Sequence, residues 1–103
     1  MAELALQFSS DHPAAAGHFP GNPIIPGACL LSEALRAIES ALGCRLTLCE
    51  IGSAKFFHPV RPGDRVAIVF ERTGGSGIRF SCAVGDRKVM TGQVTWRVTR
   101  KAD

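Results

Sequence analysis

Residues 17–27 read Gly17-His18-Phe19-Pro20-Gly21-Asn22-Pro23-Ile24-Ile25-Pro26-Gly27, and an apolar helical pattern begins directly after them. Each proline restricts φ and biases the residue before it toward extended backbone, whereas each glycine permits turns and close backbone approach. A segment of this composition holds a side chain in place rather than filling a core. Its one titratable side chain is His18. Gly27 and Ala28, at the start of the helical pattern, are expected to present free backbone N–H groups at the positive end of a helix dipole. The stretch thus sets an acid/base imidazole beside donors able to hold a carbonyl oxygen.

Outward from this loop, the periodicity predicts a helix over 28–42. At about 100° per residue, Leu30, Leu31, Ala34, Leu35, Ala37, Ile38, Ala41 and Leu42 share one face, and Ser32, Glu33, Arg36, Glu39 and Ser40 share the other. Gly43 stands where a left-handed cap ends such a helix. From Arg45 the pattern changes to period two, with strands expected over 46–57, 65–72, 78–84 and 89–99. Turns separate them at Arg61-Pro62-Gly63-Asp64, Gly74-Gly75-Ser76-Gly77 and Gly85-Asp86. In the last strand Met90, Val94, Trp96 and Val98 alternate with Thr91, Gln93, Thr95, Arg97 and Thr99. Before the loop, Leu4-Ala5-Leu6-Gln7-Phe8 forms a further short strand, apolar enough to be expected largely buried. One helix followed by hairpin-connected strands argues for an α+β domain, an antiparallel β-sheet wrapped around a central α-helix.

The 103 residues suit a single domain, 1–103, marginal in size if it covers both faces of a sheet alone; a dimer relieves that. The longest apolar run is far below the roughly 20 residues that span a bilayer, and Met1-Ala2-Glu3 is not a positively charged signal start, so a soluble, cytoplasmic protein without membrane insertion is expected. The four cysteines, Cys29, Cys44, Cys49 and Cys82, have neither C-x-x-C pairing nor histidine at zinc-ligand spacing. They are read as reduced, packed thiols, and no metal site is expected. A net charge of +3 is mild and scattered, and with no Tyr there is no base-stacking platform, which argues against nucleic acid. The excess of Arg suits an acidic protein partner.

The run from Gly17 to Gly27, the apolar helix, and then Ala54-Lys55-Phe56-Phe57-His58-Pro59-Val60-Arg61-Pro62-Gly63-Asp64 together resemble the 3-hydroxyacyl-acyl-carrier-protein dehydratases of the hotdog fold. The likeness covers nearly the whole chain, without the N-terminal portion that longer members place before the first strand. It implies a catalytic histidine at the dimer interface, matched position by position by His18, and a carboxylate one helix later from the partner subunit. Counted from Pro26-Gly27, the carboxylate position is Ser32, whereas Glu33 follows one residue later and begins a family-like Glu-Ala-Leu string. Either Ser32 faces the histidine in a regular helix, or a local π-bulge brings Glu33 round as the second catalytic group. The resemblance also implies substrate contact at Phe19, Gly27, Ala28 and Ser32, an acyl thioester substrate on acyl carrier protein or coenzyme A, no cofactor, and a homodimer or dimer-based oligomer.

The implied reaction removes a proton from the carbon next to the thioester carbonyl and expels the hydroxyl as water. A neutral imidazole accepts that proton, a protonated acid assists the hydroxyl, and helix-start N–H groups hold the carbonyl oxygen as it gains charge. Two other readings stand beside it: an acyl thioesterase of the same fold, and a non-catalytic acyl-binding subunit. Glu33 also has a plain role open to it, an ion pair with Arg36 at i,i+3. His12 and His58 are read as structural or solvent-facing, with His58 shaping the turn before Pro59. Lys55 and Arg65 are read as surface charges that could attract an acidic carrier.

Overall fold

The computed structural model describes residues 2–9, 24–43 and 49–96. Strand β1 runs Ala2–Gln7, helix α1 Gly27–Leu42, and strands β2 to β5 run Cys49–Phe56, Arg65–Thr73, Gly77–Val84 and Arg87–Trp96. The strands form one antiparallel sheet in the order β1-β3-β4-β5-β2. The expected α+β architecture of one helix and an antiparallel sheet is therefore present. Helix α1 begins one residue earlier than the periodicity indicated. The expected extensions of β2 and β5, over 46–48 and 97–99, lie outside the described residues.

The helix is oriented by packing. Leu30, Ala34 and Ile38 are buried against Ile68, Phe70, Ile78, Phe80 and their neighbours from the sheet. Burial of a side chain such as Leu or Ile stabilises by about 1.5–3 kcal/mol, whereas polar pairs along a helix contribute only tenths. Leu31, Leu35, Ala37 and Leu42 flank this stripe half-buried, as expected, while Ala41 is exposed at the last turn. On the opposite side Ser32, Arg36 and Ser40 are exposed, and Glu33 and Glu39 sit half-buried at its margin. Gly43 ends the helix in the left-handed region, φ 67°, and donates its N–H to the Glu39 carbonyl oxygen at 3.0 Å. Only glycine takes that backbone without strain.

Two one-residue irregularities shape the sheet. In β2, Ile51 pairs Val94 and Ser53 pairs Gln93, leaving Gly52 as the extra residue. In β5, Met90 pairs Cys82 and Lys88 pairs Ala83, leaving Val89 as the extra residue. A bulge of this kind changes which face the following side chains occupy. As a result Ile51, Ala54 and Phe56 all share the helix side of β2, opposite Val94, Gly92 and Met90.

Strand β1 departs from the expectation of burial: Ala2, Glu3, Ala5 and Gln7 are exposed, and Leu4 and Leu6 are half-buried. The reason is its place at the sheet edge, where it pairs β3 alone and has one thinly covered face. Phe8, just beyond it, is buried, and its backbone continues the pairing through Phe8 N–H to Asp64 O and Gly63 N–H to Phe8 O, each 3.0 Å. Cys82 is a buried free thiol and Cys29 a half-buried one, in line with the reading of packed, reduced cysteines. Cys44 lies outside the described residues, and Cys49 is described only as backbone of β2. No helix among the described residues is long and apolar enough to cross a membrane.

Candidate functional site

The segment before α1 is tied to the segment after β2. Ile25 pairs Val60 in an isolated antiparallel bridge, with Ile25 N–H donating to the Val60 carbonyl oxygen at 2.7 Å, and both side chains are buried. The two sequence motifs, far apart along the chain, therefore meet. The turn after Val60 is built by Arg61-Pro62-Gly63-Asp64: Asp64 N–H donates to Arg61 O at 3.0 Å, and Gly63 has φ 93°. Proline followed by a positive-φ glycine is the type II pattern. The Asp64 carboxylate adds an Arg61 N–H···Oδ2 bond of 2.9 Å, which fixes the loop leading back into β3.

At this junction α1 starts. Pro26 is its N-cap, and the Pro26 carbonyl oxygen accepts from Cys29 N–H and Leu30 N–H, each at 3.0 Å. The N–H groups of Gly27 and Ala28 lie ahead of any intrahelical acceptor. Among the described residues no side chain caps this end, and no acidic residue occupies its first turn. The positive end of the helix is thus not neutralised by its own turn. Gly27 packs closely under an aromatic ring: a Cβ there would lie 3.1, 3.2 and 3.3 Å from three carbons of Phe56, which would have to give by a few tenths of an ångström.

Beside this helix start is a cleft of about 400 Å³ lined by Ile24, Ile25, Gly27, Leu30, Phe56, Phe57, His58, Pro59 and Val60. Among the described residues its walls are apolar apart from the helix start and one imidazole. Phe56 and Phe57 are each 49% exposed and Ile51 is 51% exposed, so the apolar surface continues along β2. A cleft of this kind receives an aliphatic chain and offers backbone donors to a polar group at its end.

Of the residues singled out in the sequence, Gly27 lines the cleft and Ala28 lies exposed in the same turn. Ser32 is exposed and Glu33 half-buried; neither lines the cleft. The helix is continuous α-helix from Gly27 to Leu42, so it has no π-bulge to turn Glu33 into the Ser32 direction. The Glu33–Arg36 ion pair does not form; an ion pair does join Arg79 and Glu71, at 3.4 Å. Glu33 lies instead near Cys29, one turn earlier, whose thiol is raised above its ordinary range first by burial and second by that carboxylate. His12, His18 and Phe19 lie outside the described residues. Lys55 and Arg65 are exposed, as read from the sequence.

His58 is read from the sequence as structural or solvent-facing, shaping the turn before Pro59. It is exposed, as expected, yet it lines the cleft and its Nδ1 lies 3.2 Å from the Lys88 carbonyl oxygen. The bulge at Val89 makes this possible, because the Val89 carbonyl accepts from Phe57 N–H at 2.9 Å and holds the segment before His58 against β5. The signal available in the sequence was its position inside the second motif, immediately before Pro59.

The family model described as ApeI dehydratase, ApeI-like, matches residues 1–93. The chain is 37% identical over 94 residues to the 3-hydroxyacyl-acyl-carrier-protein dehydratase FabZ of Lactiplantibacillus plantarum, covering 80% of this chain and 63% of that protein. It is 32% identical over 93 residues to FabZ of Pediococcus pentosaceus, covering 80% of this chain and 62% of that protein. The chain therefore spans somewhat less than two thirds of the length of these curated relatives. Among solved structures it is similar to the dehydratase heterocomplex ApeI:P from Xenorhabdus doucetiae, with TM-score 0.79 and 20% identity over 92% of this chain and 86% of that one. It is also similar to a 1,4-dihydroxy-2-naphthoyl-CoA thioesterase from Synechocystis, with TM-score 0.65 and 14% identity over 96% of this chain and 83% of that one. At such identities structural likeness establishes the fold, which is the hotdog fold. Because the family model spans both motifs and the junction that joins them, the chain belongs to the ApeI-like dehydratase family.

Proposed function

We propose that the chain is a subunit of a 3-hydroxyacyl thioester dehydratase, taking its substrate on acyl carrier protein or coenzyme A and releasing the enoyl thioester and water. The observation that carries this reading is the Ile25–Val60 bridge, which joins the described parts of both dehydratase-like motifs at an apolar cleft beside the start of α1. In the reaction, His18 removes a proton from the carbon next to the thioester carbonyl. The electron pair released forms the double bond, and the C–O bond at the next carbon breaks with its pair going to oxygen, which takes up a proton and leaves as water. Gly27 and Ala28 N–H groups hold the carbonyl oxygen as it gains negative charge. Phe19 and the apolar cleft wall receive the acyl chain. On a regular helix Ser32, rather than Glu33, occupies the position that faces His18 of a second copy.

The same reading includes a homodimer. Strand β2 is an outer strand of the sheet, and its helix-side residues Ile51 and Phe56 are half exposed, so a second copy placed there covers apolar surface and pairs a free edge. A cytoplasmic location is supported by the free thiols of Cys29 and Cys82. Product analysis by mass tests the reaction. Incubation with 3-hydroxyacyl thioesters is expected to yield the acyl thioester lighter by one water. Release of free acid and thiol assigns a thioesterase instead, and an unchanged substrate assigns an acyl-binding subunit.

A further inference from the structure

A dehydratase needs a proton donor for the departing hydroxyl as well as a base for the carbon acid. On helix α1, Ser32 offers only a hydroxyl, and Glu33 does not line this chain's cleft. The cleft itself contains one titratable side chain among the described residues, His58. Its Nδ1 faces the Lys88 carbonyl oxygen at 3.2 Å. A carbonyl oxygen can only accept, so Nδ1 carries a hydrogen, and Nε2 is the nitrogen left to exchange protons with an occupant of the cleft. The backbone on either side of His58 is tied down by Phe57 N–H to Val89 O at 2.9 Å and by the Ile25–Val60 bridge.

We propose that His58 is the catalytic proton donor to the leaving hydroxyl, an inference that rests on the dehydratase reading above. In the imidazolium form the ring keeps Nδ1–H on the Lys88 carbonyl and presents Nε2–H to the hydroxyl oxygen. His18 takes the proton from the carbon next to the carbonyl, and the electron pair of that C–H bond becomes the second bond of the alkene. The C–O bond at the next carbon breaks with its pair going to oxygen, which takes the Nε2 proton and leaves as water. His58, being exposed, regains a proton from solvent while His18 releases one, so the cycle closes without any further reactant.

The test uses the full chain and two leaving groups. His58→Asn places an amide nitrogen near the Nδ1 position, preserving a donor to Lys88 while removing Nε2; His58→Gln serves as the second variant. Each is assayed with 3-hydroxybutyryl and 3-hydroxyoctanoyl pantetheine thioesters and with the 3-fluoro analogues, because fluoride departs without being protonated. The expected result is a loss of about 100-fold or more in kcat on the hydroxy substrates. On the fluoro substrates the loss is expected to stay within roughly threefold, since only the acid step is missing. Unchanged turnover of the hydroxy substrates, or equal losses on both series, overturns the assignment of His58 while leaving the dehydratase reading intact. A wild-type chain that eliminates neither water nor fluoride overturns both.

Discussion

Ser32 and Glu33 are neighbours in sequence, yet about 100° of helix rotation separates them, enough to move a side-chain tip by several ångströms. Proton transfer tolerates far less than that. The continuous helix from Gly27 to Leu42 keeps Glu33 on the flank beside Cys29, so Glu33→Gln is expected to change turnover by less than roughly threefold, and Ser32→Glu to raise it. A large loss in Glu33→Gln with an unchanged circular dichroism spectrum restores Glu33 as a catalytic carboxylate. A second residue-scale expectation concerns Cys82, whose thiol burial pushes up to about 12. The unfolded thiol ionises at lower pH than the folded one, so this side chain's contribution is complete below the ordinary thiol range and is lost as pH rises through it. The wild-type urea midpoint is therefore expected to fall between pH 8 and roughly 10.5 more steeply than that of Cys82→Ala. Parallel pH profiles contradict this. At this scale much was legible before the structure: Gly27 and Ala28 were placed at a helix start by Pro26 and the helical pattern that follows it. The contact of His58 with the Lys88 carbonyl was not, because that oxygen lies thirty positions away in sequence and is brought near by a bulge.

Among the elements, the helix and the succession of strands along the chain follow from period and turn chemistry, and their observed bounds differ from the expected ones by only a few residues where described. What alternation alone could not supply was the bulges. Ile51 and Phe56 have opposite parity in the sequence, so a strict period of two puts them on opposite faces; the extra residue Gly52 returns them to one. Burial of β1 was overestimated for a related reason, since apolar content does not reveal which strand will stand at an edge. Strand β5 contains a further local fit. An added Cβ at Gly92 would lie 2.4 Å from Phe80 Cζ and 2.8 Å from its Cε1, and both residues are buried. The aromatic ring fills the place that a side chain would take between Met90 and Val94. Gly92→Ala is expected to destabilise by about 1–3 kcal/mol through overpacking, with partial recovery in the Gly92→Ala/Phe80→Leu double variant, both read by urea unfolding. A single variant as stable as the wild type contradicts the packing account.

For the molecule as a whole, the sheet covers one helix but leaves the helix side of β2 open. Ile51 and Phe56 lie there half exposed, continuous with the cleft at the helix start. A dimer built on this edge covers the apolar strip and brings a second copy toward each cleft. Sedimentation equilibrium at low micromolar concentration is expected to give twice the 11.0 kDa chain mass, and Ile51→Lys is expected to shift it toward the single chain. A folded wild-type monomer under those conditions contradicts the dimer.

The central claim is that this fold removes water from a 3-hydroxyacyl thioester with His18 as the base. It is tested most directly by following enoyl thioester formation for the wild-type chain and for His18→Ala under the same conditions. The account predicts enoyl product from the wild type and none above background from a His18→Ala variant with an unchanged circular dichroism spectrum. Enoyl formation by His18→Ala at a rate near that of the wild type contradicts it.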